Sequence, residues 1–340
     1  MTKIDFLRYS FKIVLLMLTM ISCDKDDKVA IYSSLEECSV TDVLGNCCNS
    51  ENLDCNGICF GLSECELSSY GCTQPESVNY NPDATIDDGN CVNDISPAGW
   101  KLVWNDEFNG TELDLSKWNR ETGIFVNNEE QTYTDSEFNS FLNDGFLHIV
   151  GQQESNSDTL YTSGRINTSG KASFRYGRFE AFAKLPESSG SWPAFWMLSE
   201  SIYSLGWPSS GEIDIMEYVS NDPNKIHSSI HCDEYNWTNE TNSVSNTNSV
   251  SLSSVTSDFN LYIAEWTEDK ITFKVNDITI HTFENDGLNN YSTWPFNTDF
   301  FLILNLAIGG DWVEGIDGII ENDYYDKFII DYVRVYELDE

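Results

Sequence analysis

Read for its alternation of apolar and polar side chains, the chain changes character near position 96. Beyond it, short β-rich runs alternate with turn residues, at 146–150, 177–183, 262–266, 271–275, 300–306 and 328–336. Many short strands with little helical periodicity predict an all-β fold, an antiparallel sandwich or jelly roll. Two sheets of a sandwich can curve until one face becomes a concave cleft, wide enough for a polymer. The run 238–257, rich in Asn and Ser, reads as a long loop. Ahead of position 96 the pattern differs. An apolar run at 13–21 is too short to span a bilayer comfortably and is followed by a stretch with few large apolar residues.

Within the β-rich part, GEIDIMEY at 211–218 concentrates acidic chemistry on one strand. Alternation points Glu212 and Asp214 to one face and Ile213 and Ile215 to the other. Strict alternation would also send Glu217 to the apolar side. A one-residue bulge near Ile215–Met216 would return it to the face of the other two acids. Three carboxylates would then line one groove. That array suits hydrolysis of a glycosidic bond, which needs two carboxyl groups in different protonation states. The plain alternative is an acidic, solvated strand face. A fully extended strand spreads five residues over about 16 Å. The carboxyls must therefore converge to reach the roughly 5–5.5 Å that a retaining mechanism needs.

Composition supports a folded protein. Over 340 residues, hydrophobic types make up 40% and aromatics 13%, enough for one large core plus a smaller unit. Asp and Glu outnumber Lys and Arg by 56 to 18, a net charge of −38. A field of that sign repels phosphate backbones and sulfated polymers, so nucleic acid is not expected as a partner, while a neutral polysaccharide is compatible.

At the N-terminus, Lys3, Arg8 and Lys12 precede the apolar run, which ends in Met20-Ile21-Ser22-Cys23. This resembles a bacterial lipobox. It implies a signal peptide at 1–22, a lipidated Cys23, a tether at 23–36 and attachment to the cell surface or outer membrane; a plain secretory signal is the alternative. Eight of the ten cysteines fall between Cys38 and Cys91, which reads as a disulfide framework over 37–95. Eight cysteines allow about 105 pairings, so connectivity is open from the spacing. Zinc is the rival, though paired CxxC spacing is absent. Cys232 stands apart and reads as a buried thiol. The segment 71–91 resembles a short repeat of secreted proteins, which suggests a Cys72–Cys91 bridge. Asp83, Asp87 and Asp88 within it read as turn residues or, less simply, calcium ligands.

From position 100 onward six blocks occur in order: LVWNDEFNG (102–110), SGRINTSGKASFRYGRFEAFAKLP (163–186), SWPAFWML (191–198), GEIDIMEY, FLILNLAIGGDW (301–312) and IDYVRVYE (330–337). Together they resemble family 16 glycoside hydrolases, specifically the bacterial laminarinase-type endo-β-1,3-glucanases. The resemblance implies a catalytic domain at 96–340: a jelly roll with a concave substrate cleft and a retaining mechanism. It makes Glu212 the nucleophile, Glu217 the general acid/base and Asp214 the carboxylate between them. Trp192, Trp196 and Trp312 become candidates for stacking on sugar rings. Arg165, Asn128 and His231 become polar cleft residues, with Cys232 departing from the residue expected beside that histidine. A structural calcium on the convex face would be held by Glu107, Asp331 and the Gly145 carbonyl. No cofactor is needed for catalysis. Mixed-linkage β-glucan, agar and carrageenan stay as alternative substrates, because relatives that cut them share ExDxxE. Transglycosylation and a non-catalytic carbohydrate-binding role are further alternatives, the latter requiring loss of an acid where all three are present.

Overall fold

The computed structural model describes residues 70–75, 77, 80–91, 96–123, 127–154, 160–238, 246–314 and 323–339, and earlier in the chain only four short strands of backbone. Contacts divide the chain into two compact units, residues 1–73 with 81–88, and residues 74–80 with 89–340. The smaller unit contains three two-stranded pairings: Met20–Ser22 with Ala30–Tyr32, Val40–Thr41 with Cys47–Cys48, and Tyr70–Gly71 with Ile86–Asp87. Asp83 and Asp87 are turn and bracing residues: the Asp83 amide donates to the Asn81 side chain at 3.0 Å, and Asp87 accepts from Thr73 at 3.1 Å. Cys72 and Cys91 are each disulfide-bonded. Cys23 and the apolar run before it, apart from the backbone of Met20–Ser22, lie outside the described residues, as do Cys38, Cys55, Cys59 and Cys65.

The larger unit is the all-β sandwich that the alternation predicts. Its strands are β1 (Trp100–Asp106), β2 (Asn119–Arg120), β3 (Gln131–Tyr133), β4 (Ser140–Asn143), β5 (Phe146–Gln153), β6 (Tyr161–Ser163), β7 (Arg165–Asn167), β8 (Gly177–Lys184) and β9 (Ser191–Ser199). They continue as β10 (Glu212–Glu217), β11 (Lys225–His231), β12 (Thr247–Ser251), β13 (Asn260–Trp266), β14 (Lys270–Val275), β15 (Ile278–Glu284), β16 (Phe300–Ile308) and β17 (Tyr325–Leu338). The ten-stranded sheet runs β15-β14-β13-β8-β17-β5-β6-β3, with β4 beside β5 and β1 beside β17. The seven-stranded sheet runs β12-β11-β10-β9-β16-β7-β2.

One apolar core joins the two sheets. From the ten-stranded sheet it takes Phe179, Ala181 and Ala183 of β8 and Phe328, Ile330 and Val333 of β17; from the seven-stranded sheet, Leu302, Leu304 and Leu306 of β16. Strand β16 is buried along its whole length, so it reads as an unbroken apolar run. Its other face carries Phe301, Ile303, Asn305 and Ala307, and Asn305 is the one polar residue of the nine. That other face is the floor of the candidate site.

The loop expected at 238–257 is corrected in part. Thr247–Ser251 forms β12, which pairs only with β11 and closes one edge of its sheet. An edge strand with one face in water tolerates Thr, Asn and Ser, and a single Val250 supplies its packing against the core. Composition alone hid it.

Candidate active site

Strand β10 starts at a turn that only glycine suits. Gly211 has φ +85°, and a Cβ there would lie 3.0 Å from both Phe300 and Pro295. Along β10, Asp214 pairs with Trp196 of β9 while Met216 pairs with Phe195, so Ile215 is one residue too many for its neighbour. The same slip lies between Asp214 and Glu217 against β11. Ile215 and Met216 both enter the apolar core, and Glu217 returns to the side of Glu212 and Asp214. The carbonyl displaced by the bulge is not stranded: Ser228, buried opposite it, donates its hydroxyl to the Ile215 oxygen at 2.8 Å.

The three acids are short of countercharge. Asp214 is 3% exposed, and Glu212 and Glu217 are half-buried on either side. His231, directly across from Glu212 on β11, places Nε2 at 3.2 Å from Asp214 Oδ2 and 3.8 Å from Glu212 Oε1. The Trp192 indole donates to Glu217 Oε1 at 3.1 Å. Burial first, and then the charge of Asp214 between them, hold Glu212 and Glu217 above the ordinary carboxylate range, with Glu217 pushed up to about 8. Burial alone raises Asp214, also to about 8, against a hydrogen bond with Glu212 that lowers it. The surroundings are asymmetric. Asp214 opposes the anion on both glutamates and His231 favours it on both. The difference is that Arg165 favours the anion on Glu212, while on Glu217 the Trp192 indole favours it and Glu129 opposes it.

Around the acids the cleft is built from β9, β16 and the loops. Strand β9 stays regular against β16, so Trp192, Ala194 and Trp196 share the cleft face. The Trp196 indole donates to Asn305 at 2.7 Å, Asn305 donates to the Tyr133 hydroxyl at 3.0 Å, and that hydroxyl donates to Glu129 at 3.3 Å. Arg165 lies over the Trp196 ring at 4.8 Å and is salt-bridged to Glu121. Trp312 meets Trp192 edge to face at 5.4 Å, and so braces it. Asn128 sits on the rim, donating to Asp311 at 2.8 Å. The loops cross closely there. A Cβ on Gly310 would come within 2.9 Å of the Asn127 carbonyl and 3.4 Å of Trp192.

A family profile described as "Glycosyl hydrolases family 16" matches residues 111–330. The chain belongs to that family. Among curated relatives it is 38% identical over 247 residues to a beta-glucanase of Rhodothermus marinus, covering 70% of this chain and 85% of that one. Among solved structures it resembles the laminarinase from Rhodothermus marinus, with 38% identity, a TM-score of 0.66 and coverage of 71% and 98%. It also resembles the laminarinase from Flavobacterium sp. UMI-01, with 38% identity, a TM-score of 0.63 and coverage of 70% and 100%. As a family 16 glycoside hydrolase, the chain is an enzyme.

Two places in this family 16 domain could interest a metal. Glu212, Asp214 and His231 offer ligand atoms within 4.8 Å of one another, and the same triangle is what a shared proton requires. The expected calcium ligands are differently placed. Both oxygens of Glu107 accept from Arg334, at 2.9 and 2.8 Å, and Asn105 adds a third hydrogen bond. Asp331 is raised by burial and by the nearby Glu107 charge. With both Glu107 oxygens accepting from a guanidinium, a cation at these side chains would have to compete with Arg334.

The domain also uses residues for which the sequence reading made no site claim. His227 shares the parity of Ser229 and His231 on β11, lies opposite Glu217 and packs against Trp312 at 5.0 Å. Its period-2 spacing from His231 was the available signal. Glu129, Tyr133 and Asn305 orient Trp196; the lone Asn in an apolar strand could have marked the last of them. Cys232 is a free thiol packed in the core, raised by burial to about 11, as its isolation suggested.

Proposed function

We propose that this chain is a retaining endo-hydrolase of internal β-1,3-glucosidic bonds in neutral, laminarin-like glucans. The observation that carries it is the bulge at Ile215, which sets Glu217 on the face of Glu212 and Asp214. Glu212, beside His231 and Arg165, attacks the anomeric carbon as a carboxylate. Glu217 gives its proton to the glycosidic oxygen as the C–O bond breaks, leaving a glycosyl ester on Glu212. The Glu217 carboxylate then takes a proton from water, whose oxygen attacks the same carbon and releases Glu212. Asp214, protonated near neutrality, shares its hydrogen bond with Glu212 and keeps a second full charge from forming there. Trp192 and Trp196 offer the flat surfaces on which pyranose faces stack, with Arg165, Asn128 and His231 available to sugar hydroxyls.

Support for a neutral β-glucan comes from the laminarinase relatives and from the net charge of −38, which disfavours sulfated galactans. Incubation with laminarin, lichenan, agarose and κ-carrageenan, with sizing of products, tests the reading. Mid-chain shortening of laminarin with first products of retained β configuration is expected; intact laminarin, or α products, would overturn it. Export and tethering through Cys23 are part of the proposal and rest on the lipobox-like sequence; the disulfide-bonded segment at 37–95 is also part of it and rests on the eight clustered cysteines. Calcium bound by Glu107, Gly145 and Asp331 would be structural and would have to displace Arg334 from Glu107.

A further inference from the structure

Two aromatic side chains near the acids have no role in the account so far. Trp207, on the loop leading into β10, is 38% exposed, and Trp237, on the loop leaving β11, is 66% exposed. Their rings lie 6.1 Å apart and 33° from parallel, and Trp207 is 5.9 Å from the ring of His231, which itself reaches Asp214 and Glu212. A nearly continuous aromatic line therefore runs outward from the catalytic acids to the surface.

The loops that carry this line are braced rather than left to solvent. Asn236, itself 6% exposed, donates to the carbonyls of Cys232 and Asp233 at 2.9 and 3.1 Å, and its oxygen accepts from the Thr238 amide at 2.9 Å. The Cys232 amide closes the turn onto the Tyr235 carbonyl at 2.8 Å. Ser209 on the first loop donates to Asp233 on the second at 2.6 Å, tying the two tryptophans' supports together. A buried polar brace under a largely exposed Trp237 is spent on presentation, since the apolar core gains little from that ring. Each indole presents a flat, uncharged ring face, and the pair starts beside His231, which fits a pyranose ring and not an anionic partner.

We infer that Trp237, backed by Trp207, forms an outer sugar-binding platform that extends the cleft beyond the catalytic acids and gives the enzyme a preference for longer β-glucan chains. This rests on the hydrolase reading above. Its test measures kcat/KM on laminarin-derived oligosaccharides of increasing length for the wild type, Trp237→Ala and Trp237→Phe, with thermal melting to check folding. Trp237→Ala should shrink the advantage of long chains over short ones roughly two- to tenfold, mainly through KM. Trp237→Phe should recover much of it. An unchanged long-to-short ratio in a normally melting Trp237→Ala enzyme would overturn the platform while leaving the hydrolase standing. A wild type inactive on every β-1,3-glucan would overturn both.

Discussion

Two groups of buried carboxylates in this molecule follow opposite rules. On the ten-stranded sheet Glu180 is 3% exposed, no more than Asp214, yet Arg178 reaches it at 2.7 Å and Tyr336 donates to it at 3.2 Å. Glu265 on the neighbouring strand shares Arg178 and adds Lys274 at 2.7 Å. On the seven-stranded sheet, Glu212, Asp214 and Glu217 have the His231 imidazole within ion-pair reach, and Arg165, the guanidinium that acts on Glu212, is already paired with Glu121. Burying a charge without a partner is costly, so a fold keeps such a group only where its proton is used. The same residue types thus read as masonry on one sheet and as chemistry on the other.

The comparison is broken most decisively by removing the nucleophile. Glu212→Ser should lower kcat on laminarin by roughly 10⁴-fold or more while leaving the fold and laminarin binding intact, as read by product release and by affinity gels. A variant that still cuts at normal speed would take Glu212 out of the mechanism. Glu217→Gln should cost about 10²–10⁴-fold. Because Glu217 must enter the reaction protonated and titrates at about 8, wild-type kcat/KM should fall as pH rises through that value. The residual activity of Glu217→Gln should lack that alkaline limb, and a limb that persists would assign it to another group.

Much of this site is legible in the sequence, for definable reasons. Period-2 alternation put Glu212 and Asp214 on one face, and the need for a third acid there required a bulge at Ile215–Met216, where the slip is found. Trp192 and Trp196 share a face because β9 stays regular while β10 takes the distortion. What alternation could not give were contacts made by chain segments far apart. The link from Trp196 through Asn305 and Tyr133 to Glu129 joins three separate stretches, and Trp207 meets Trp237 only because two loops are pinned side by side. Strand β12 was hidden because an edge strand needs no apolar pattern. The Arg334 fork on Glu107, which takes up both expected calcium-binding oxygens, is likewise a pairing across 227 positions.

On the paired side the expected effect is on stability. Arg178→Met strands Glu180 in the sheet, and removal of one partner from a buried pair costs about 3–5 kcal/mol. Denaturant melts should show that loss, while activity per folded molecule stays near wild type. If stability hardly changed, the outer network would be ornamental and the contrast with the cleft would lose its meaning.

The smallest effect has the opposite sign. Asp214 and Glu217 hold their protons more tightly folded than unfolded, each up to about 8 from an ordinary value near 4. Between those values the folded chain carries the extra protons, so stability falls as pH rises; the favourable contribution is complete below the unfolded value and lost on passing the folded one. Asp214→Asn removes one such proton and relieves its neighbours. It should therefore stabilise the protein by about 1–2 kcal/mol at roughly pH 9, with the gap closing towards pH 5, where the wild-type acid is protonated as well. Thermal melts of both proteins across that range read the difference directly. A variant less stable than wild type at high pH would mean that Asp214 is a paired, structural acid after all, of the same kind as Glu180.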